Sequence, residues 1–341
     1  MDRYFAVLSE EIKREGRRCH KKVDNIYIGG GTPSIAYRYF PILSEAIHSS
    51  FDVAADAEIS VECNPESVTE NFIAAARDLG VNRVSVGVQS LSDRLLRRIG
   101  RAHDAATAER SLEKLIAAFP SVGADVMVGL PGETDRDVSD TLSRLLAHDL
   151  SHVSCYSLIV EKGTPLYRDV RAGRFTPDED HAVDMYDLAT KTLAENGFER
   201  YEISNFARND AVCRYNLSVW EYGEYLGLGL GASGFTRDSD PFCGHRTRRV
   251  RDMSRYLSGS RPRCERITKE VGMAEYIMLG LRLTEGMDVA AFNALFEMNF
   301  YAEYSEKVKK LAEYLIISER ALAIKPEYLY ISNSIITELL F

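Results

Sequence analysis

From Val23 to about Leu158 the chain alternates short β-branched runs with longer amphipathic ones, and no other feature restricts its fold as strongly. The strand candidates are "VDNIYI", "EISVEC", "NRVSVGV", "ADVMVGL" and "HVSCYSL", separated by helical stretches such as "TENFIAAARDLG" and "TDRDVSDTLSRLLAHDL". Strand, helix and strand at intervals of roughly 25 to 40 residues predict βαβ units and a parallel sheet. "FERYEISNF" and "EYLGLGLGASGF" are further strand candidates, each after another helical stretch.

Two architectures accommodate this alternation, an open doubly wound sheet and a (β/α) barrel. The residues after each strand favour the barrel. They are Gly29-Gly30-Gly31-Thr32-Pro33, Asn64-Pro65-Glu66, Gln89-Ser90, Pro131-Gly132-Glu133 and Glu161-Lys162-Gly163-Thr164-Pro165. Polar, turn-forming residues after every strand suggest a ring of loops around one site, whereas a doubly wound sheet concentrates its site at one switch point. Eight units cannot be counted, so the expected barrel is open or incomplete.

The three successive glycines surrender their side chains where something must approach the backbone. No Lys-Ser or Lys-Thr follows and the G-x-G-x-x-G spacing is absent, which argues against a nucleotide phosphate loop. A compact polar group, an amine or a carboxylate, remains, and the plain alternative is a tight strand-to-helix turn. Further candidates sit at strand ends: Glu62 in "VECNPE", Gln89 in "VGVQS", Arg101 in "IGRAHD" and Asp125 inside the apolar "ADVMVGLPGE". A charge within a parallel strand is costly unless paired, so Asp125 marks either a site or a salt bridge to Arg101 or Arg83.

Composition narrows the function classes. The chain has 341 residues, 45% of them hydrophobic and 27% charged, enough for one large domain and a small one. There is no apolar run of 18 residues and no signal-peptide pattern, so a cytoplasmic protein without a membrane span is expected. A net charge of −9 argues against a general nucleic-acid binder. The basic run "HRTRRVRD", His245 to Asp252, goes against that trend and is read as a solvated loop or helix start, the alternative being a polyanion site. Six cysteines, at 19, 63, 155, 213, 243 and 264, form no C-x-x-C pair.

After Phe235 the turn-rich "GFTRDSDPFCGH" suggests a boundary, dividing a barrel of 1–235 from a small domain of 236–341. The latter has helical segments including "GMAEYIMLGLRL" and "AEYSEKVKKLAEYLIIS", then short runs in "ALAIKPEYLYIS" and a final helix. A helical domain with a two-stranded wing is expected there, in a packing role rather than a DNA-binding one.

Seven segments, "GGGTPS", "VECNPE", "VNRVSVGVQSLSDRLLRRIGRAHD", "DVMVGLPGET", "SLIVEKGTPLY", "YEISNFA" and "CRYNLSVWEYGEYLGLGLGASGF", occur in the order of one family. Across nearly its whole length the chain resembles the oxygen-independent coproporphyrinogen III oxidase-like radical S-adenosylmethionine proteins, and specifically their haem-chaperone branch. The resemblance implies a partial (β/α)6 barrel of the α/β class with a small carboxyl-terminal domain. It also implies S-adenosylmethionine as ligand, with Gly30, Gly31 and Thr32 near its methionine part and Glu62, Gln89, Arg101 and Asp125 as further contacts. The implied role is to bind haem or a related porphyrin and deliver it to an acceptor protein. Oxidative decarboxylation of coproporphyrinogen III is the alternative enzymatic role, and a non-catalytic, cluster-less remnant is a third reading.

The chain departs from the family in three places. Family members carry a C-x-x-x-C-x-x-C loop holding a [4Fe–4S] cluster ahead of the helix that "MDRYFAVLSEEIKREG" resembles; no such loop is present, and Cys19 is a lone thiol. The preferred explanation is a missing preceding segment, because "VDNIYI" would otherwise leave a barrel edge unpaired; loss of the cluster in this lineage is the other. Where the branch has His-Asn-x-x-Tyr-Trp, this chain has Tyr215-Asn216-Leu217-Ser218-Val219-Trp220, and Gly231-Ala232-Ser233-Gly234-Phe235 lacks a second histidine. Tyr215 and Trp220 are therefore candidate haem contacts or plain packing residues, with His103 and His181 as further conceivable ligands.

Overall fold

The computed structural model describes residues 1–238 and 244–341. The first half runs α1 (Asp2–Gly16), β1 (Val23–Ile28), α2 (Phe40–His48), β2 (Val53–Cys63), α3 (Glu70–Leu79), β3 (Arg83–Gln89), α4 (Asp93–Arg98), α5 (Ala105–Ala118), β4 (Ser121–Val128), α6 (Asp135–Leu145) and β5 (His152–Ser157). Strands β1 to β5 are parallel neighbours in chain order. All five predicted runs form these strands. Helices α3, α5 and α6 begin where Thr69, Asp104 and Thr134 accept a hydrogen bond from the amide three residues on, which satisfies a donor with no partner in the first turn.

The rest of the sheet departs from expectation. After α7 (Pro165–Arg171) and α8 (Glu179–Glu195), "FERYEISNF" folds into two strands, β6 (Glu199–Arg200) and β7 (Asn205–Ala207). They pair antiparallel to each other, and β7 pairs antiparallel to β5, giving the order β1-β2-β3-β4-β5-β7-β6. Asn205 and its neighbours turn back because Tyr201 N–H bonds to the Asn205 carbonyl.

The two faces of the sheet differ chemically, as a period of two requires. Val61, Val84, Val86, Ala124, Val126 and Val153 are buried in one core with Phe72, Leu112, Leu115 and Leu142 from the helices. The alternate residues, Ser60, Glu62, Ser85, Gly123, Asp125 and Ser154, are polar or small and face a concave lumen. Helix α9 (Arg214–Trp220) closes this lumen beside β1: Tyr215 stacks on Tyr27 with ring centroids 4.7 Å apart. At the floor, Arg83 lies 3.6 Å from Glu58 and donates to the Ala211 and Val212 carbonyls, anchoring the segment that leads into α9.

Of "EYLGLGLGASGF", only its end enters a strand. β8 (Ser233–Arg237), β9 (Gly244–Arg248) and β10 (Arg263–Ile267) form an antiparallel sheet across the expected boundary at 235/236, with α10 (Met253–Leu257) between β9 and β10. The first half of the basic run is therefore not a loop or helix start, whereas residues 249–252 do form a loop that ends at Asp252, the cap of α10. That first half lies in the central strand of this sheet, and Arg249 is buried against Glu11 of α1 at 2.7 Å. The middle of the boundary segment, residues 239–243 with Cys243, lies outside the described residues.

The carboxyl-terminal part contains α11 (Lys269–Gly280), β11 (Met287–Asp288), α12 (Val289–Phe296), α13 (Phe300–Lys310), β12 (Leu315–Ile317), β13 (Ala321–Ile324) and α14 (Ser332–Leu340). The wing has three strands, in the order β11-β13-β12. "YLIIS" belongs to it rather than to the preceding helix, because Leu315 is buried against Leu322 and Ile324 in the small domain's core. Among the described residues no helix is long and apolar enough to cross a membrane.

Candidate ligand site at the strand ends

The site begins with the loop after β1. Gly30 and Gly31 have φ values of +85° and +65°, which L side chains rarely adopt, and no protein atom lies within 4 Å of where a Cβ would sit. Gly29 is glycine for a different reason: a Cβ there would meet Tyr27 at 2.8 Å and the Glu62 carboxylate at 2.9 Å. One glycine therefore makes room for protein, and the next two present exposed backbone to open space.

Glu62 is fixed beside this loop. The Tyr27 hydroxyl donates to Glu62 Oε1 at 2.8 Å and the Gly30 amide to Oε2 at 3.1 Å. The Tyr27 hydroxyl is strongly disfavoured from ionising by burial and by the Glu62 charge. Next to it, Asn64 Nδ2 donates to Thr32 Oγ1 at 3.0 Å, and Arg101 Nη2 donates to Asn64 Oδ1 at 3.0 Å and to the Gly87 carbonyl. Arg101 reaches inward because Gly100, at φ +74°, turns the chain back after α4. A Cβ on Gly87 would lie 2.8 Å from the Arg101 guanidinium, so this strand position is kept small for the arginine.

Gln89 ends β3 with φ +68°, and its Oε1 accepts from the Tyr156 hydroxyl at 2.9 Å. Asp125 lies deeper. Ser85 Oγ donates to its Oδ1 at 2.8 Å, and the Ser154 hydroxyl also bonds it. Neither salt bridge considered for Asp125 forms among the described residues: Arg83 pairs with Glu58, and Arg101 bonds Asn64 and Gly87. Burial pushes the Asp125 carboxyl up to about 6, against the two serine hydroxyls that favour its charge. Asp125, Tyr27, Ser85, Ser154 and Asn216 line one small cavity.

Gly30 bonds Glu62, Thr32 and Arg101 meet on Asn64, and Gln89 bonds Tyr156, all at one end of the sheet with Asp125 beneath them. An exposed backbone pair, two carboxylates and a guanidinium suit a ligand carrying an amine, a carboxylate and hydroxyls. Tyr27, Asn64, Ser85, Ser154 and Tyr156 were missed from sequence. Strand register supplied the signal for one of them, since Ser154 is the direct cross-strand partner of Asp125.

The haem candidates do not converge. Tyr215 stacks on Tyr27, whereas Trp220, at the other end of α9, lies under the Arg282 guanidinium at 5.6 Å. Both ring nitrogens of buried His103 are engaged, by Glu66 at 3.2 Å and the Val88 carbonyl at 3.1 Å. His181 Nε2 pairs with Asp135 at 2.9 Å, a contact that raises its pKa. Both histidines are thus engaged by protein carboxylates.

Residues 1–145 match the radical SAM superfamily model, and residues 267–330 match that of the HemN C-terminal domain. The heme chaperone HemW of Lactococcus lactis is 35% identical over 319 residues, covering 91% of this chain and 82% of the relative. The mitochondrial radical S-adenosyl methionine domain-containing protein 1 of Mus musculus is 36% identical over 281 residues, covering 78% of this chain and 63% of that protein. The structure of Escherichia coli coproporphyrinogen III oxidase (HemN), a radical SAM enzyme, superposes with a TM-score of 0.82 at 19% identity, covering 99% of this chain and 82% of that one, and so shows the same fold. The chain belongs to the HemN/HemW-like family of radical S-adenosylmethionine proteins.

Proposed function

We propose that the chain binds S-adenosylmethionine at the strand ends and carries haem to an acceptor protein in the cytoplasm. The observation that supports the first half best is the open, left-handed Gly30–Gly31 backbone beside a Glu62 carboxylate already oriented by Tyr27. In this reading Gly30, Gly31 and Thr32 take the amino-acid end, while Glu62, Gln89, Arg101 and Asp125 take the remaining polar groups. The ligand supplies an activated sulfonium; the chain's residues orient it and exclude water from its polar end. The second half rests on the relatives named as heme chaperones.

A [4Fe–4S] cluster does not fit the described residues. No three His, Cys, Asp or Glu side chains among them are grouped to hold a metal. Burial raises the thiols of Cys63, Cys155 (to about 12) and Cys213 (to about 11), which disfavours the thiolates a cluster needs.

Titration calorimetry with S-adenosylmethionine tests the site: binding by the wild type and its loss in Asp125→Ala are expected, and equal affinity overturns the assignment. Haem titration should give a Soret band, and no band excludes carriage. Tyr215→Phe should shift that band if its phenolate ligates iron; an unmoved spectrum leaves Tyr215 as the packing partner of Tyr27.

A further inference from the structure

Outside this site, one cluster of reactive side chains sits on the solvent face of the β8-β9-β10 sheet. Cys264 of β10 is exposed, and its Sγ lies 3.5 Å from His245 Nδ1 on β9. His245 Nε2 is in turn 3.2 Å from Asp238 Oδ1, at the end of β8. Cys264 stands opposite Thr247 and Arg266 opposite His245, so thiol, imidazole and a guanidinium-bearing residue share one face. The order is that of an activated nucleophile: a thiol, a base in contact with it, and a carboxylate orienting the base. With Nε2 facing the Asp238 carboxylate, the tautomer protonated at Nε2 presents its Nδ1 lone pair to the sulfur.

The surroundings select the reagent. Residues 245–266 carry eight arginines against two acids, Asp252 and Glu265, in a chain of net charge −9, and of the eight Arg246 and Arg249 are ion-paired with acids elsewhere in the chain. Arg266 stands on the same face as Cys264, and the exposed Arg248 and Arg263, paired on the opposite face, add to the positive field around the strand.

We propose that Cys264 is a thiol-exchange site, activated by His245 and Asp238, that takes anionic low-molecular-weight disulfides of the glutathione class. The Cys264 proton passes to His245 Nδ1, and the sulfur forms a bond to one sulfur of the disulfide. The reagent's S–S bond breaks, and its second sulfur leaves with the electron pair and takes the proton. Cys264 ends as a mixed disulfide, and the reagent as one equivalent of thiol. The proposal stands independently of S-adenosylmethionine or haem binding.

The test is site-resolved mass spectrometry of the full-length protein during exposure to oxidised glutathione at neutral pH, in a Cys243→Ser background. Cys264 should form the mixed disulfide at least tenfold faster than the partly exposed Cys19, while buried Cys63, Cys155 and Cys213 stay unmodified. His245→Ala should bring Cys264 down to the Cys19 rate, and Asp238→Asn should slow it by several-fold. A Cys264 rate equal to that of Cys19, or one unchanged in His245→Ala, overturns the activation. Cationic cystamine reacting as fast as oxidised glutathione overturns the preference for anions.

Discussion

The barrel and the carboxyl-terminal region both bury aromatic rings but differ sharply in the polar side chains they bury. The barrel's core on the helical side of the sheet mixes aliphatic side chains with buried rings such as Phe40, Phe72 and Phe198, and the lumen side holds Glu58, Ser60, Arg83, Gln89 and His152 in buried positions. In the carboxyl-terminal core, Phe292 meets Tyr276 and Phe300 edge to face at 5.5 and 5.3 Å, and Ser332 is the one fully polar side chain buried past residue 250 among the described residues. Aromatic packing of this kind stabilises without offering chemistry to a ligand. A polar lumen costs stability but supplies the groups that recognise one. The polar groups that a ligand would need are thus concentrated in the barrel, and the tail's core offers few.

The largest effect that can break this division is Phe292→Ala. Removing a fully buried ring should destabilise the fold by about 3–5 kcal/mol in denaturant titrations. The folded fraction should bind S-adenosylmethionine as the wild type does; a matching loss of affinity would mean that the tail shapes the site.

Arg83→Met tests the lumen floor. It strands the buried Glu58 charge and frees the Ala211 and Val212 carbonyls, for a loss of about 3 kcal/mol in the same measurement. A neutral outcome would show that the floor is not strongly coupled to stability.

Asp125→Asn should act in the opposite direction. The folded protein holds the Asp125 proton more tightly than the unfolded chain, because burial has raised its pKa to about 6. Stability contributed by this group is therefore full below about pH 4 and declines as pH rises to about 6. The substitution should gain about 1–2 kcal/mol at pH 7, discounted for partial exposure, and the gain should vanish at pH 4. Thermal melts across that range check it, and a pH-independent difference would remove the carboxylate as its cause.

The smallest effect lies at the border between the regions. Arg282→Met removes the guanidinium over Trp220 and its bond to Asn333, a loss of about 0.5–1 kcal/mol. Ligand affinity should not move.

Much of the barrel was legible because its information is local. The runs at 23–28, 83–89 and 152–157 carry β-branched residues bounded by turn formers, and the structure keeps them as β1, β3 and β5. Hairpin β6–β7 was read as one strand because "FERYEISNF" contains no glycine or proline to mark its turn; the reversal is made by Tyr201 and Asn205 bonding each other. Only the end of the basic run is the loop and helix start that its charge suggests; for residues 245–248, pairing with β8 and β10 decides the conformation. At the site, Glu62, Gln89, Arg101 and Asp125 stand out as polar residues at strand ends. Asn64 did not, because its role arises only when Thr32 and Arg101 converge on its amide.

By itself, the sequence determined what depends on a few neighbouring residues: the strand and helix periods, the polar loop after each strand, and the glycines at 30 and 31 whose φ values exclude other side chains. Tertiary structure alone decided which side chains meet. Arg101 rests on Asn64, 37 positions away, and Arg83 on the carbonyl of Ala211, 128 positions away. Cys264 faces His245 because two strands pair in one register out of several. Such contacts follow from burying the apolar face of the whole sheet at once, a collective property that no short window of sequence contains.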